Sequence, residues 1–251
     1  MANSKDVKCV IFDKDGTLVD FHKMWLPWAV DTVRLCEAAT KMPVGSAVYK
    51  TLGVDPHLGK VSMGALAEKT LDGIRADVAT TLQQFGFHST HTEKIVKTCV
   101  PEASPGLAAP VCDLDILFRE LKEMDIKIAL CTADSRRATE EQMQILGIEH
   151  MLDDVVCGND KGIIPKPSPH CAIQICKRLG VELDEAVMVG DTIADLKMGR
   201  VAGLRASVAV LSGVGTRETL SEYTDYYLDD ASTLPSLIRD EIHQDFYNKR
   251  G

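Results

Sequence analysis

The segment Val10-Ile11-Phe12-Asp13-Lys14-Asp15-Gly16-Thr17-Leu18-Val19-Asp20 carries an apolar run straight into two carboxylates one residue apart. A short uncharged run with β-branched residues reads as a strand buried on both faces. Gly16 directly behind it frees the backbone to turn sharply. In an open α/β sheet, ligands sit beyond the carboxyl ends of the strands, so Asp13 is expected to project into a crevice. Two plainer readings compete here: a turn rich in aspartate, and a calcium loop. The calcium loop fails on spacing. An EF-hand has a glutamate at its twelfth position, and the twelfth residue counted from Asp13 is Met24.

Outward from this segment the chain alternates. Apolar runs at Lys8–Phe12, Ile126–Cys131, Val155–Cys157, Ala186–Val189 and Ser207–Leu211 read as buried strands. Helical patterns lie between them: Asp113–Met124, Arg136–Leu146 stopped by Gly147, a helix opened by Ser168 with Pro169 in its first turn and stopped by Gly180, and Ile193–Ala202 closed by Gly203. That rhythm predicts a doubly wound, mostly parallel α/β sheet with helices on both faces. Residues 21–104 break it. Trp25, Trp28, Val33, Leu35 and Cys36 fit one broad helix face, and Met63–Arg75 and Ala76–Phe85 also read helical. Ala103-Ser-Pro-Gly106 marks a turn before the alternation resumes. The expectation is a core of residues 1–20 and 105–251 with an inserted all-helical unit, 21–104, joined by linkers near Val19–His22 and Ala103–Ala109.

Composition sets the bounds. The 251 residues carry a net charge of −9, which opposes non-specific nucleic-acid binding, since that needs a basic surface. The insert holds 9 Lys/Arg against 8 Asp/Glu and the remainder 19 against 29, so the two units differ in surface character. Apolar runs fall far short of the ~20 residues that span a bilayer, and the polar first residues do not resemble a signal peptide. The eight cysteines include no Cys-x-x-Cys pair, and several lie in strand-like runs. They read as reduced, structural thiols. A soluble, cytoplasmic protein with neither membrane nor nucleic-acid partner is expected.

Three further segments carry chemistry. Thr132-Ala133-Asp134-Ser135 follows a strand, where a hydroxyl and free amides can cap a helix or bind an anion. Ile164-Pro-Lys166-Pro-Ser-Pro169 places one lysine between prolines, either as solvated surface or as a rigid counter-charge to phosphate. Gly190-Asp191-Thr192-Ile-Ala-Asp195 ends another strand with carboxylates one helical turn apart, on the same side.

Taken in this order, Asp13-x-Asp15-Gly-Thr17, Thr132, Lys166 and Gly190-Asp191-Thr-x-x-Asp195 closely resemble the four motifs of the haloacid dehalogenase-like superfamily. The insert resembles the helical cap of the branch that includes phosphoglycolate phosphatase and β-phosphoglucomutase. The resemblance implies that Asp13 is the nucleophile, forming an aspartyl-phosphate, and that Asp15 is the general acid and base. It implies Mg2+ held by the Asp13 side chain, the Asp15 main-chain carbonyl and Asp191. Thr132, the N–H of Ala133 and Lys166 are then expected to hold the phosphoryl oxygens. Asp195 would support Lys166 or a metal-bound water, and Thr17 would orient Asp15. Lys14 departs from the pattern, since the family mostly has an apolar residue there. It would raise the local positive field or point away.

Asp15 argues against carbon–halogen hydrolysis, which needs no acid to protonate an alkoxide. Phosphonate hydrolysis would want a reactive lysine early in the cap, where Lys23 is the candidate and a surface role is the plainer reading. The resemblance therefore implies a phosphatase acting on a small phosphorylated metabolite, phosphoglycolate or a similar monoester. The alternatives are a phosphomutase or other phosphotransferase of the same superfamily, and a non-catalytic binding protein on this fold. His22, Lys23, Trp25 and Trp28 are candidates to line the entrance, against a plainer reading as helix core and solvated surface.

Overall fold

The computed structural model describes residues 6–62, 64–102, 108–224 and 226–242. The strands, numbered along the chain, are β1 Cys9–Phe12, β2 Val54–Asp55, β3 Lys60–Val61, β4 Lys127–Cys131, β5 Asp154–Val156, β6 Ala186–Gly190, β7 Ala206–Val210 and β8 Tyr226–Leu228. Six of them form one parallel sheet in the order β5-β4-β1-β6-β7-β8. Counted among themselves these strands run 3-2-1-4-5-6, the doubly wound order in which the chain reverses direction across the sheet beside the first strand and opens a crevice there.

The sequence explains the layering. Every residue of β1 and β6 is buried, as a central parallel strand requires. Alternate β1 side chains serve opposite faces. Val10 and Phe12 join the cluster that includes Leu117 and Phe118 of α6, Leu114–Glu123, and Phe12 lies 5.6 Å from the Phe118 ring centroid. Cys9 and Ile11 join Cys171, Ala172 and Ile175 of α8, His170–Leu179, on the other face. α7, Arg136–Ile145, and α9, Ile193–Ala202, are further helices of the core. Asp113, Ser135 and Thr192 cap α6, α7 and α9, and Gly180 and Gly203 close α8 and α9 in the left-handed conformation. All eight cysteines are free, and all but Cys112 are buried.

The insert is helical but not wholly so. It contains α1 Phe21–Thr40, α2 Gly45–Leu52, α3 Ala65–Glu68, α4 Leu71–Gln83 and α5 Ser89–Cys99, with the antiparallel β2–β3 pair between α2 and α3. The all-helical expectation fails at Asp55. Its carboxylate accepts from the N–H groups of His57 and Leu58 at 2.9 and 3.0 Å, and Gly59 at φ 62° closes the tight turn. The helical stretch expected to divide near residue 75 divides instead at Thr70, whose hydroxyl caps α4. The missed strand β8 is three half-buried residues at the sheet edge. The two chain crossings run side by side: Asp20 donates to Ala109 O at 2.7 Å and Val111 to Leu18 O at 3.0 Å. The expected turn at 103–106 and the boundary at 104/105 lie outside the described residues. One apolar cluster runs from Phe12 through Met24 and Trp25 to Leu82 and Ile95, continuous between the sheet and the insert. Among the described residues, no helix is long and apolar enough to cross a membrane.

Candidate active site

Strands β4, β1 and β6 lie side by side and end within a residue of one another: Phe12 is in register with Leu130 and Val189. The residues that follow are Asp13, Thr132 and Asp191, so three of the expected site residues share one crevice because three parallel strands stop together. Lys166, from the loop before α8, enters from the side. Its ammonium donates to Asp13 Oδ1 at 2.6 Å, Asp195 Oδ1 at 2.6 Å and the Cys131 carbonyl at 3.1 Å. The lysine is thus no solvated surface residue. Its side chain is only 10% exposed. Burial alone would drive the proton off, but Asp13 and Asp195 hold Lys166 protonated well above the ordinary lysine range.

The carboxylates feel the opposite pressure. Burial, reinforced by Asp195 and Asp15 and opposed by Lys166, pushes the Asp13 carboxyl up to about 7. Burial, then Asp13 and Asp195, raises Asp191 well above the carboxylate range. Such a cluster calls for a cation, and the donor set fits a hard divalent ion. One oxygen each of Asp13, Asp191 and Asp195 lie within 4.8 Å of one another. Asp191 Oδ2 accepts from the Val214 N–H at 2.8 Å, while its Oδ1 is buried with no hydrogen-bond partner. Glycine makes room for this side chain. A Cβ on Gly213 would stand 1.9 Å from Asp191 Oδ2, and one on Gly16, at φ 91°, would stand 2.5 Å from it. Asp195 is engaged on both oxygens, by Lys166 and by the Thr192 hydroxyl at 2.5 Å, which favours a supporting role over direct ligation.

Thr132 is 4% exposed, and its hydroxyl accepts from the Asp134 N–H at 3.1 Å. It does not cap α7; Ser135 does. Thr132, Ala133 and Lys166 line a cavity of about 270 Å3 together with Asp13, Asp15 and Asp195. The insert closes the other side with Phe21, Trp25, Leu66, Lys69, Thr70, Ile74 and Glu102. Of the four entrance candidates, only Trp25 lines this cavity. The Trp28 indole donates to Pro101 O at 3.1 Å, His22 Nδ1 accepts from the Val61 N–H at 3.4 Å, and Lys23 pairs with Asp20 at 3.0 Å.

One further expectation needs correction. Thr17 does not hold Asp15, since its buried hydroxyl has no hydrogen-bond partner. Lys14 does, with Nζ 2.9 Å from each carboxylate oxygen. The sequence reading also missed Asp134, a further carboxylate on the cavity wall, and its position two residues beyond Thr132 was the available signal. Burial raises the Asp15 carboxyl against the pull of Lys14.

A parallel sheet whose strand ends bring two carboxylates and a threonine to one crevice, with a buried lysine from a neighbouring loop, defines a hydrolase of the haloacid dehalogenase type. The chain belongs to the haloacid dehalogenase-like hydrolase family, whose model matches residues 7–203. It is 27% identical over 237 residues to a phosphoglycolate phosphatase of Aquifex aeolicus, covering 94% of this chain and 99% of that one. It is 28% identical over 233 residues to pyrophosphatase PpaX of Bacillus velezensis, covering 92% and 95%. The crystal structure of a predicted phosphoglycolate phosphatase from Haemophilus somnus superposes with a TM-score of 0.66 at 16% identity, covering 94% of this chain and 99% of that one. This last likeness is one of fold.

Proposed function

We propose that this hydrolase cleaves a small phosphate monoester through a covalent phosphoryl-aspartate on Asp13. The chain is a phosphoric monoester hydrolase. The observation that carries the covalent reading is the Lys166 ammonium lodged between Asp13 and Asp195 on the wall of a small cavity. A bare pair of buried carboxylates would repel a phosphate dianion. A fixed buried cation offsets that repulsion and meets charge where it develops.

Each residue has a part. An Asp13 oxygen attacks phosphorus while the ester P–O bond breaks, and the departing alkoxide takes a proton from Asp15. Asp15, now ionised, removes a proton from water as the water oxygen attacks phosphorus. The bond to Asp13 then breaks, freeing inorganic phosphate and restoring both carboxyl groups. Lys166, the Thr132 hydroxyl and the Ala133 N–H hold the phosphoryl oxygens throughout. Asp13 and Asp191, with the Asp15 main-chain carbonyl, would hold the divalent cation, which we take to be Mg2+. When bound, that ion offsets the negative charge of nucleophile and phosphate.

The cavity favours a small ester. Among its described lining residues Lys69 is the one cation from the insert, 2.6 Å from Asp77 and suited to a second anionic group such as a carboxylate. Phosphoglycolate or a similar acid is therefore our reading of the substrate. We read residues 21–104 as a cap hinged at its two crossings, and the eight reduced thiols as those of a cytoplasmic protein. The test is phosphate release from a panel of phosphorylated metabolites with Mg2+ present. Stoichiometric phosphate from a small acid monoester supports the reading, and isomerised product without phosphate marks a mutase.

A further inference from the structure

Lys14 is buried completely, at 0% exposure, and has no place in the chemistry above. Burying an ammonium is costly unless it is paired and its protons are all accepted. Here they are. Beyond the Asp15 carboxylate, Nζ pairs with Asp134 Oδ2 at 3.1 Å and donates to Gln142 Oε1 at 2.5 Å. Gln142, on α7, is itself wholly buried, with Nε2 3.3 Å from the Met24 sulfur. Asp15 and Asp134 both line the cavity, whereas Lys14 lies behind them and does not. The main chain closes over the same point, since Lys14 O accepts from the N–H groups of both Leu18 and Val19 at 2.9 Å.

We propose that Lys14 is a positioning residue that fixes the Asp15 carboxylate at the cavity from behind, braced by Asp134 and Gln142. The proposal rests on Asp15 being the general acid. The ammonium's direct partners all belong to the core, and Gln142 alone reaches on to the insert, through Met24. An apolar residue at this position could not hold the carboxylate.

Leaving-group dependence separates positioning from mere stability. An alkoxide needs protonation as it leaves and p-nitrophenolate does not, and kcat/KM reports the step that breaks this bond. The holoenzyme with Mg2+ is assayed on p-nitrophenyl phosphate and on the alkyl phosphate that the wild type hydrolyses fastest. Lys14→Met should lower kcat/KM on the alkyl ester about 30–100-fold and on the aryl ester no more than about 3-fold, the scale of a misplaced catalytic group. Asp15→Asn should show the same selectivity more strongly. Gln142→Leu keeps every charge, and should repeat the pattern at roughly 3–10-fold even if Lys14→Met does not fold. A selective loss in Asp15→Asn, with equal or no loss on the two esters in Lys14→Met or Gln142→Leu, overturns the positioning role alone. No selectivity in Asp15→Asn overturns the acid role and the proposal with it.

Discussion

The Lys166 ammonium stands 2.6 Å from Oδ1 of Asp13, although the two residues are 153 positions apart. This contact closes the crevice between β1 and the loop before α8, and it lets two buried carboxylates, Asp13 and Asp195, stay close. Lys166→Met should therefore cost on two counts. Turnover should fall about 10²–10³-fold, as for loss of one preorganised charge donor. Melting temperature should fall as well, because two buried carboxyl groups lose their shared counter-charge. Steady-state phosphate release and thermal unfolding of the same preparation check both.

Metal should act on stability with a defined pH sense. Burial raises the Asp13 carboxyl from an ordinary 3.8 to about 7. Its contribution to stability is full below the ordinary value and is lost as pH rises through about 7. A divalent cation binds the deprotonated groups and reverses that loss. Added Mg2+ should raise the melting temperature more at about pH 7.5 than at about pH 5.5, where protons compete for the ligands. Equal increments at both pH values would place the ion elsewhere. Calcium, which accepts more oxygens and a bidentate carboxylate, should compete with Mg2+ and suppress turnover.

Gly213 offers a test that removes no functional group. A methyl there would meet Asp191 Oδ2 at 1.9 Å, so the carboxylate must swing away and the Val214 N–H lose its acceptor. Gly213→Ala should raise the Mg2+ concentration for half-activation roughly 10–100-fold, the usual cost of disturbing a metal ligand's support. The check is a magnesium titration of phosphate release against wild type.

The parts of this site legible in the sequence are those that end strands. Asp13, Thr132 and Asp191 each follow an apolar run, and strands of one parallel sheet bring their ends together whatever separates them along the chain. Lys166 was legible because prolines on either side stiffen its loop. Lys14 was visible as a departure that would raise the local positive field or point away, but without a partner, since Gln142 lies 128 positions away and looks like any helix residue. The cavity wall from the insert was hidden for another reason. Phe21, Leu66 and Ile74 read as packing residues, and side chains with that chemistry line a pocket or fill a core equally well. The β2–β3 pair escaped because two-residue strands have no measurable alternation, and the Asp55 turn that makes them is a local hydrogen-bond device.

The central claim is that phosphorus passes through Asp13, and trapping the covalent state tests it most directly. The Mg2+-loaded enzyme would be mixed with substrate, quenched in acid within the turnover time and reduced with borohydride, which converts an acyl phosphate on aspartate to homoserine. Peptide mass spectrometry should find homoserine at position 13 in the wild type and none in Asp13→Asn, whose turnover should be almost completely lost. Homoserine at another aspartate, or more than a tenth of wild-type activity remaining in Asp13→Asn, would contradict the account.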